Sequence, residues 1–183
     1  MKWLNILISL LFVACAQTPK TSKTALYEQG VTVGEGVEAN RYANIYFSGQ
    51  PSSKDWAHLK SQGFTHIINI REAKEIDGKM EKETIQSQGM IYSHIPMNAK
   101  KPLTKGYVQS VTKAVMTHRK KGKTLIHCGS GNRVAYWVGA HFYLDHNYSA
   151  KDSIDMAKKM GLTSSGLETK LEKFISDNKV IKK

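Results

Sequence analysis

Cys128 closes the apolar run Leu125-Ile126-His127 and opens the segment Gly129-Ser130-Gly131-Asn132-Arg133. Val134 to Phe142 follows with the character of a buried helix. The order reads as strand, anion-binding loop, helix. It puts a thiol on the floor of a cup of backbone N–H groups, with a helix N-terminus aimed at it. Such surroundings favour the thiolate, the form of cysteine that attacks. Gly129 and Gly131 supply the backbone freedom to turn successive N–H groups inward. Arg133 offers a planar fork to two oxygens of a tetrahedral oxyanion. Ser130 and Asn132 are candidate donors to the anion or the thiolate. His127 is a candidate for holding the cup in shape or tuning the sulfur.

The elements that position these residues can be read from composition. Ser52 or Ser53 is suited to cap a helix running to about Gln62, with Gly63 ending it. Thr65 to Ile70 reads as a buried strand, Lys79 to Gln88 as a helix, and Met90 to Pro96 as the next strand. A helix over Thr104 to Lys121 leads to the strand Thr124 to His127, which delivers Cys128. The helix from Arg133 to about His146 backs the loop, and two more follow over Ser149 to Met160 and Ser165 to Asn178. Alternating strands and helices predict a single α/β domain with a mostly parallel sheet flanked by helices. Ligands bind at the carboxyl ends of such strands. Arg71 and Cys128 both follow strand ends, so Arg71 is expected to support the same crevice.

The N-terminus reads as a targeting segment. Lys2 is the positive start, Trp3 to Ala14 is an apolar stretch too short to span a bilayer, and Phe12-Val13-Ala14-Cys15 has the form of a lipobox. The expected organisation is therefore a signal peptide over 1–14, a lipidated Cys15 and tether over 15–39, and one domain over 40–183. Within 15–39, Val31-Thr32-Val33 has the composition of a short edge strand. This implies a periplasmic lipoprotein of the bacterial cell envelope, held to the membrane by its lipid, with the outer membrane favoured in a Gram-negative cell. Cys15 and Cys128 are the two cysteines of the chain. If Cys15 carries lipid, Cys128 has no partner for an internal disulfide. A lone thiol in an oxidising compartment is a liability unless it is used.

The net charge of +12 favours anionic partners. The lysines are scattered rather than interleaved with aromatics, so no nucleic-acid partner is expected. Seven histidines are present, but none forms a ligand set with metal spacing. His141 and His146, five apart, should not share a helix face. No metal and no cofactor is expected.

The loop resembles the His-Cys-x-x-Gly-x-x-Arg signature of cysteine-dependent protein phosphatases. Here Arg133 comes one residue early, and Val134 stands where those enzymes carry Ser or Thr. A second set of motifs narrows the resemblance. These are Ser48-Gly49-Gln50-Pro51, the strand end Ile68-Asn69-Ile70-Arg71, and the short Cys-x-x-Gly-x-Arg loop. Together, over about residues 40 to 147, they resemble the phosphatase-like domain of bacterial beta-lactamase-hydrolase-like proteins. That group lies in the protein-tyrosine and dual-specificity phosphatase superfamily. The resemblance implies a protein-tyrosine-phosphatase-like fold, Cys128 as nucleophile and Arg133 as oxyanion ligand. It further implies a phosphorylated or other oxyanion substrate, hydrolysed through a phosphocysteine.

Relatives with that chemistry carry a general-acid Asp near the mid-domain strand. Pro96-Met97-Asn98-Ala99-Lys100-Lys101-Pro102 contains no acid. Glu72, Glu75 and Asp77, after Arg71, are substitutes. Aryl esters should then react best and alkyl esters poorly. The short loop also resembles the six-residue loops of rhodanese-type sulfurtransferases, which carry a persulfide. A phosphatase, a sulfurtransferase and a non-catalytic anion-binding lipoprotein all remain open at this level.

Overall fold

The computed structural model describes residues 26–76 and 78–179. The signal peptide, Cys15 and the first part of the tether lie outside the described residues, as does Asp77.

Six strands form one sheet: β1 (Tyr27–Val33), β2 (Val37–Tyr42), β3 (Ile45–Ser48), β4 (Phe64–Asn69), β5 (Ile91–His94) and β6 (Lys123–His127). Their spatial order is β1-β2-β3-β6-β4-β5. β3, β6, β4 and β5 run parallel, while β1 and β2 add an antiparallel meander on the β3 side. Six α-helices complete the described residues: α1 (Asp55–Ser61), α2 (Gly78–Ser87), α3 (Lys105–His118), α4 (Asn132–Asp145), α5 (Ala150–Lys159) and α6 (Ser165–Asp177).

Two apolar clusters hold the helices to the sheet. One joins Phe47, Ile68, Ile126 and Cys128 to Val111, Trp137, Met156, Leu171 and Phe174 of the later helices. The other joins Tyr46, Ile67 and Leu125 to Trp56, Leu59 and Ile85. Adjacent residues of β6, Leu125 and Ile126, enter opposite clusters, as the two-residue period of a strand requires. The central strands are thus covered on both sides, the usual state of a parallel sheet.

Helix starts at Thr104, Ser149 and Ser164 follow the chemistry of their caps. Their side-chain oxygens accept the N–H groups of Tyr107, Asp152 and Leu167. The start of α1 differs from the expectation. Ser52 does not cap it; instead the Ser52 N–H and hydroxyl both donate to Asp55 Oδ2, at 2.7 and 2.6 Å. Asp55 Oδ1 accepts the Glu35 N–H at 2.8 Å, tying the β1–β2 turn to α1.

The expected tether is shorter than 15–39, because Tyr27 to Tyr42 is a paired hairpin of the sheet. β1 is an edge strand with most side chains in solvent, so its sequence looks like linker. Val33 and Ala39 nonetheless bury against the Trp56 cluster, which holds the hairpin in the domain.

Candidate active site

The carboxyl ends of β3, β6 and β4 converge at Cys128. The Cys128 N–H points to Ser48 O at 3.4 Å, and the Ile70 N–H donates to His127 O at 3.0 Å. This is the crevice where an open α/β sheet places its ligands. Cys128 is fully buried, and its Sγ accepts the Gly131 N–H at 3.1 Å. Gly131 makes the turn into α4 at φ +86°, a conformation that a Cβ would strain. The loop is braced from behind by the Ser48-Gly49-Gln50 segment. The Gln50 N–H donates to Gly129 O at 3.0 Å, and a Cβ on Gly49 would lie 3.0 Å from the same oxygen. This is the structural reason for the Ser-Gly-Gln motif: it lies against the cup.

Arg133 leaves the first turn of α4 with its fork filled. Its Nη1 and Nη2 donate to Glu75 Oε1 and Oε2 at 2.8 and 2.6 Å. Glu75 ends a 3-10 turn, Ala73–Glu75, in the loop after β4. The Arg133 hydrogen bonds hold the Glu75 carboxyl below the usual carboxylate range against the opposing effect of burial. The charges of Arg133 and Arg71 add to them. Burial works against the Arg133 charge, but Glu75 and the adjacent Cys128 more than offset it, so the guanidinium is pushed further toward its charged form.

Arg71 lies at the same crevice, in a supporting place. It donates to Gln50 Oε1 at 2.6 Å and to the Glu75 backbone carbonyl. It therefore fixes the loop that carries Glu75. Behind it, Glu81 accepts from Gln50 Nε2 at 2.7 Å, Asn69 Nδ2 at 2.6 Å and the Tyr92 hydroxyl at 3.1 Å. Sequence reasoning missed Glu81. Its one signal was its place near the start of a helix that follows the Asn-Ile-Arg strand end.

Three expectations change. Asn132 does not face the cup as a free donor. Its Oδ1 accepts the Thr163 and Ser164 N–H groups, both at 2.8 Å, and its Nδ2 reaches Thr163 Oγ1 at 3.1 Å. It pins the α5–α6 connection to the loop. His127 does not tune the sulfur with a charge. Its ring is fully buried against Trp56, and burial pushes its pKa down to about 4, so the 3.8 Å approach to Glu81 involves a neutral imidazole. His141 and His146 do meet, with Nε2 atoms 3.2 Å apart, because His146 lies just past the end of α4 and leaves the helical path. Ser130 stays exposed at the mouth of the loop. Of the expected substitutes that lie among the described residues, Glu72 and Glu75, it is Glu75 that is brought to Arg133. Glu72 pairs with Lys74 at 3.1 Å.

The comparisons bear on the family and the fold. Residues 42–161 match the family described as "Swiss Army Knife protein, DSP-PTPase phosphatase domain". A beta-lactamase hydrolase-like protein of Xylella fastidiosa is 28% identical over 93 residues, 49% of this chain and 21% of the relative. The match thus takes in about a fifth of that relative's length. Among solved structures, Pseudomonas aeruginosa TpbA superposes with TM-score 0.67 at 14% identity, over 86% of this chain and 94% of TpbA. Kinase-associated phosphatase with its catalytic cysteine substituted by serine superposes at TM-score 0.61 and 18% identity, over 75% and 87%. These likenesses show a shared fold. Since Cys128, its glycine turn and Arg133 all fall within the matched residues, the chain belongs to the DSP-PTPase phosphatase domain family of Swiss Army Knife proteins.

Proposed function

We propose that the chain is a cysteine-dependent phosphatase that hydrolyses phosphate monoesters, aryl esters such as phosphotyrosine best. The observation that carries this reading is the 3.1 Å hydrogen bond from the Gly131 N–H to Cys128 Sγ, within one turn of the Arg133 fork. A sulfur held by a loop N–H at the start of α4 is placed for attack on an anion bound by that loop. TpbA, which shares the fold, has a cysteine-substituted variant solved in complex with phosphotyrosine, and this supports the choice of ester class.

In the proposed cycle an oxyanion first takes the place of Glu75 on Arg133. Cys128 Sγ then attacks phosphorus. The S–P bond forms as the P–O bond to the leaving group breaks, and the electron pair leaves on oxygen. Arg133 and the loop N–H groups hold the three equatorial oxygens. Water attacks the phosphocysteine, the S–P bond breaks, and inorganic phosphate departs. The segment Pro96 to Pro102, where relatives with this chemistry carry their general acid, has no acid to protonate the leaving oxygen. An aryl oxide, which leaves without a proton, is therefore favoured over an alkoxide.

The test is hydrolysis of an aryl phosphate by the reduced protein and its Cys128→Ser variant. Turnover should fall at least about a thousandfold in the variant. Equal turnover in the two would sink the reading, as would equal rates on phosphoserine and aryl phosphate in the parent.

The spacing of four residues between Cys128 and Arg133 favours a second reading, sulfur transfer. There Cys128 would take the outer sulfur of thiosulfate, release sulfite, and pass the persulfide sulfur to cyanide. Thiocyanate formation without phosphate release would decide for it.

A further inference from the structure

The groove leading away from the cup carries more positive charge than one phosphoryl group requires. It has a volume of about 450 Å³ and runs from Ser130 and Arg133 to Lys100 and Lys170, over Gly166 and Leu167. Three cationic side chains line it and no carboxylate does. Lys100 comes from the turn between β5 and α3, and Lys170 from α6, so the two lysines approach from different elements.

Lys170 is half-buried, and its ammonium donates to the carbonyl of Ala99, the residue before Lys100. That bond holds the charge at the groove wall without neutralising it. Glu168 pairs with Lys158 at 2.6 Å, Asp177 with Lys173 at 2.9 Å, and Glu75 with Arg133. Among the described residues neither Lys100 nor Lys170 belongs to an ion pair, whereas Lys74, Lys151, Lys158 and Lys173 do. Unneutralised charges that converge on one concave surface raise the local potential and concentrate anions there.

We infer that this groove binds a second anionic group of the substrate, so that the preferred ester carries a phosphate or carboxylate beside the phosphoryl group removed at Cys128. This rests on the phosphatase reading for which group lies in the cup; the groove itself is tested by binding. An ester without a second anionic group leaves the half-buried Lys170 ammonium with a carbonyl alone. A second anion gives it, and Lys100, a charge-assisted hydrogen bond. Leu167 supplies an apolar floor for the part of the molecule between the two anions.

The experiment is calorimetric titration of the Cys128→Ser protein with inorganic phosphate, pyrophosphate and tripolyphosphate at constant ionic strength. The condensed phosphates should bind about tenfold more tightly than phosphate. Lys100→Met and Lys170→Met together should reduce that preference to about threefold or less. Phosphate affinity itself should stay within about twofold. Lys113→Met, an exposed lysine of α3 away from the groove, should keep the full preference. Among the described residues the Lys100 ammonium joins no hydrogen bond or ion pair, so Lys100→Met alone reports on the groove if Lys170→Met unfolds the protein. A preference that is absent in the parent, or survives both groove substitutions, overturns the inference. Loss of preference in Lys113→Met overturns it too, since general surface charge would then explain it. Phosphate that binds without preference, beside normal aryl phosphate turnover, rejects the groove alone. Failure to bind any of the three anions rejects the cup as well.

Discussion

At the scale of single residues, the central contact is the ion pair between Glu75 and Arg133. A carboxylate offers two oxygens to the guanidinium fork much as a phosphoryl group would. Glu75 is about a third exposed, so the pair is screened and should contribute no more than about 1 kcal/mol. Glu75→Gln keeps the shape and removes the charge. The expected result is phosphate bound about threefold more tightly, measured in the Cys128→Ser background where no turnover interferes. Weaker binding would mean that Glu75 orients Arg133 for the anion rather than competing with it. Cys128, Gly131 and Arg133 were legible because the whole cup is contiguous in the chain, and its chemistry needs those residue types at that spacing. The partners of the cup were not. Asn132 answers to Thr163 and Ser164, more than thirty residues away, and no local pattern announces that bond. Glu75 looked like one of three surface acids until the order β3-β6-β4 set the end of β4 beside the start of α4.

At the scale of elements, α4 has to place its N-terminus at Cys128 while two helices lie against its flank. Gly139 permits that approach. A Cβ there would lie 2.5 Å from Leu171 Cδ2, 2.9 Å from Ala157 Cβ and 3.1 Å from Ser153 O. Helix propensity alone would favour alanine by roughly 1 kcal/mol. Overpacking against two helices at once costs about 1–3 kcal/mol, and here the obstructing atoms include a backbone carbonyl and a Cβ that cannot swing aside. Gly139→Ala should therefore lower the unfolding midpoint by several degrees. Gly106→Ala in α3, where a Cβ meets nothing within 4 Å, should leave it unchanged or raise it slightly. A midpoint unchanged in Gly139→Ala would show that α5 and α6 can shift away from α4. The same contrast explains which elements could be read from the chain. Helices opened by Thr104, Ser149 or Ser164 and closed before a turn carry their boundaries in local chemistry. The β1–β2 hairpin does not, because β1 is polar and exposed at the sheet edge, and only Val33 and Ala39 betray a buried side. β3, four residues long, is a strand chiefly because β2 and β6 flank it.

At the scale of the whole molecule, the fold buries neutral histidines beneath both ends of its central strands. His66 is fully buried in β4 beside Ser93 Oγ, 2.8 Å away, and edge-on to His118. Burial, reinforced by His118, pushes its pKa down to about 4. His127, at the end of β6, is pushed to about 4 chiefly by burial. Glu81 works against the shift, while Arg71 and His94 add to it. In the unfolded chain both rings titrate near 6.5. Between pH 6.5 and 4 the unfolded state therefore binds protons that the folded state refuses, and stability must fall as pH falls. The slope should be on the order of 1–3 kcal/mol per pH unit for two such groups. Asp55 and Glu75 have the same sign at lower pH. Their carboxyls are held below the ordinary range in the fold, so what they contribute is lost as pH drops through those depressed values. The net charge of +12 gives every added proton a repulsive surrounding. Urea unfolding at pH 7, 5.5 and 4.5 measures the effect. The midpoint should fall steeply across the series, and His66→Gln should flatten the fall even if it lowers stability at pH 7. A midpoint constant from pH 7 to 4.5 would mean that these rings are protonated in the native state. Because His127 immediately precedes Cys128, the cup cannot outlast the burial of that ring, and anion binding should be lost over the same pH range as the fold.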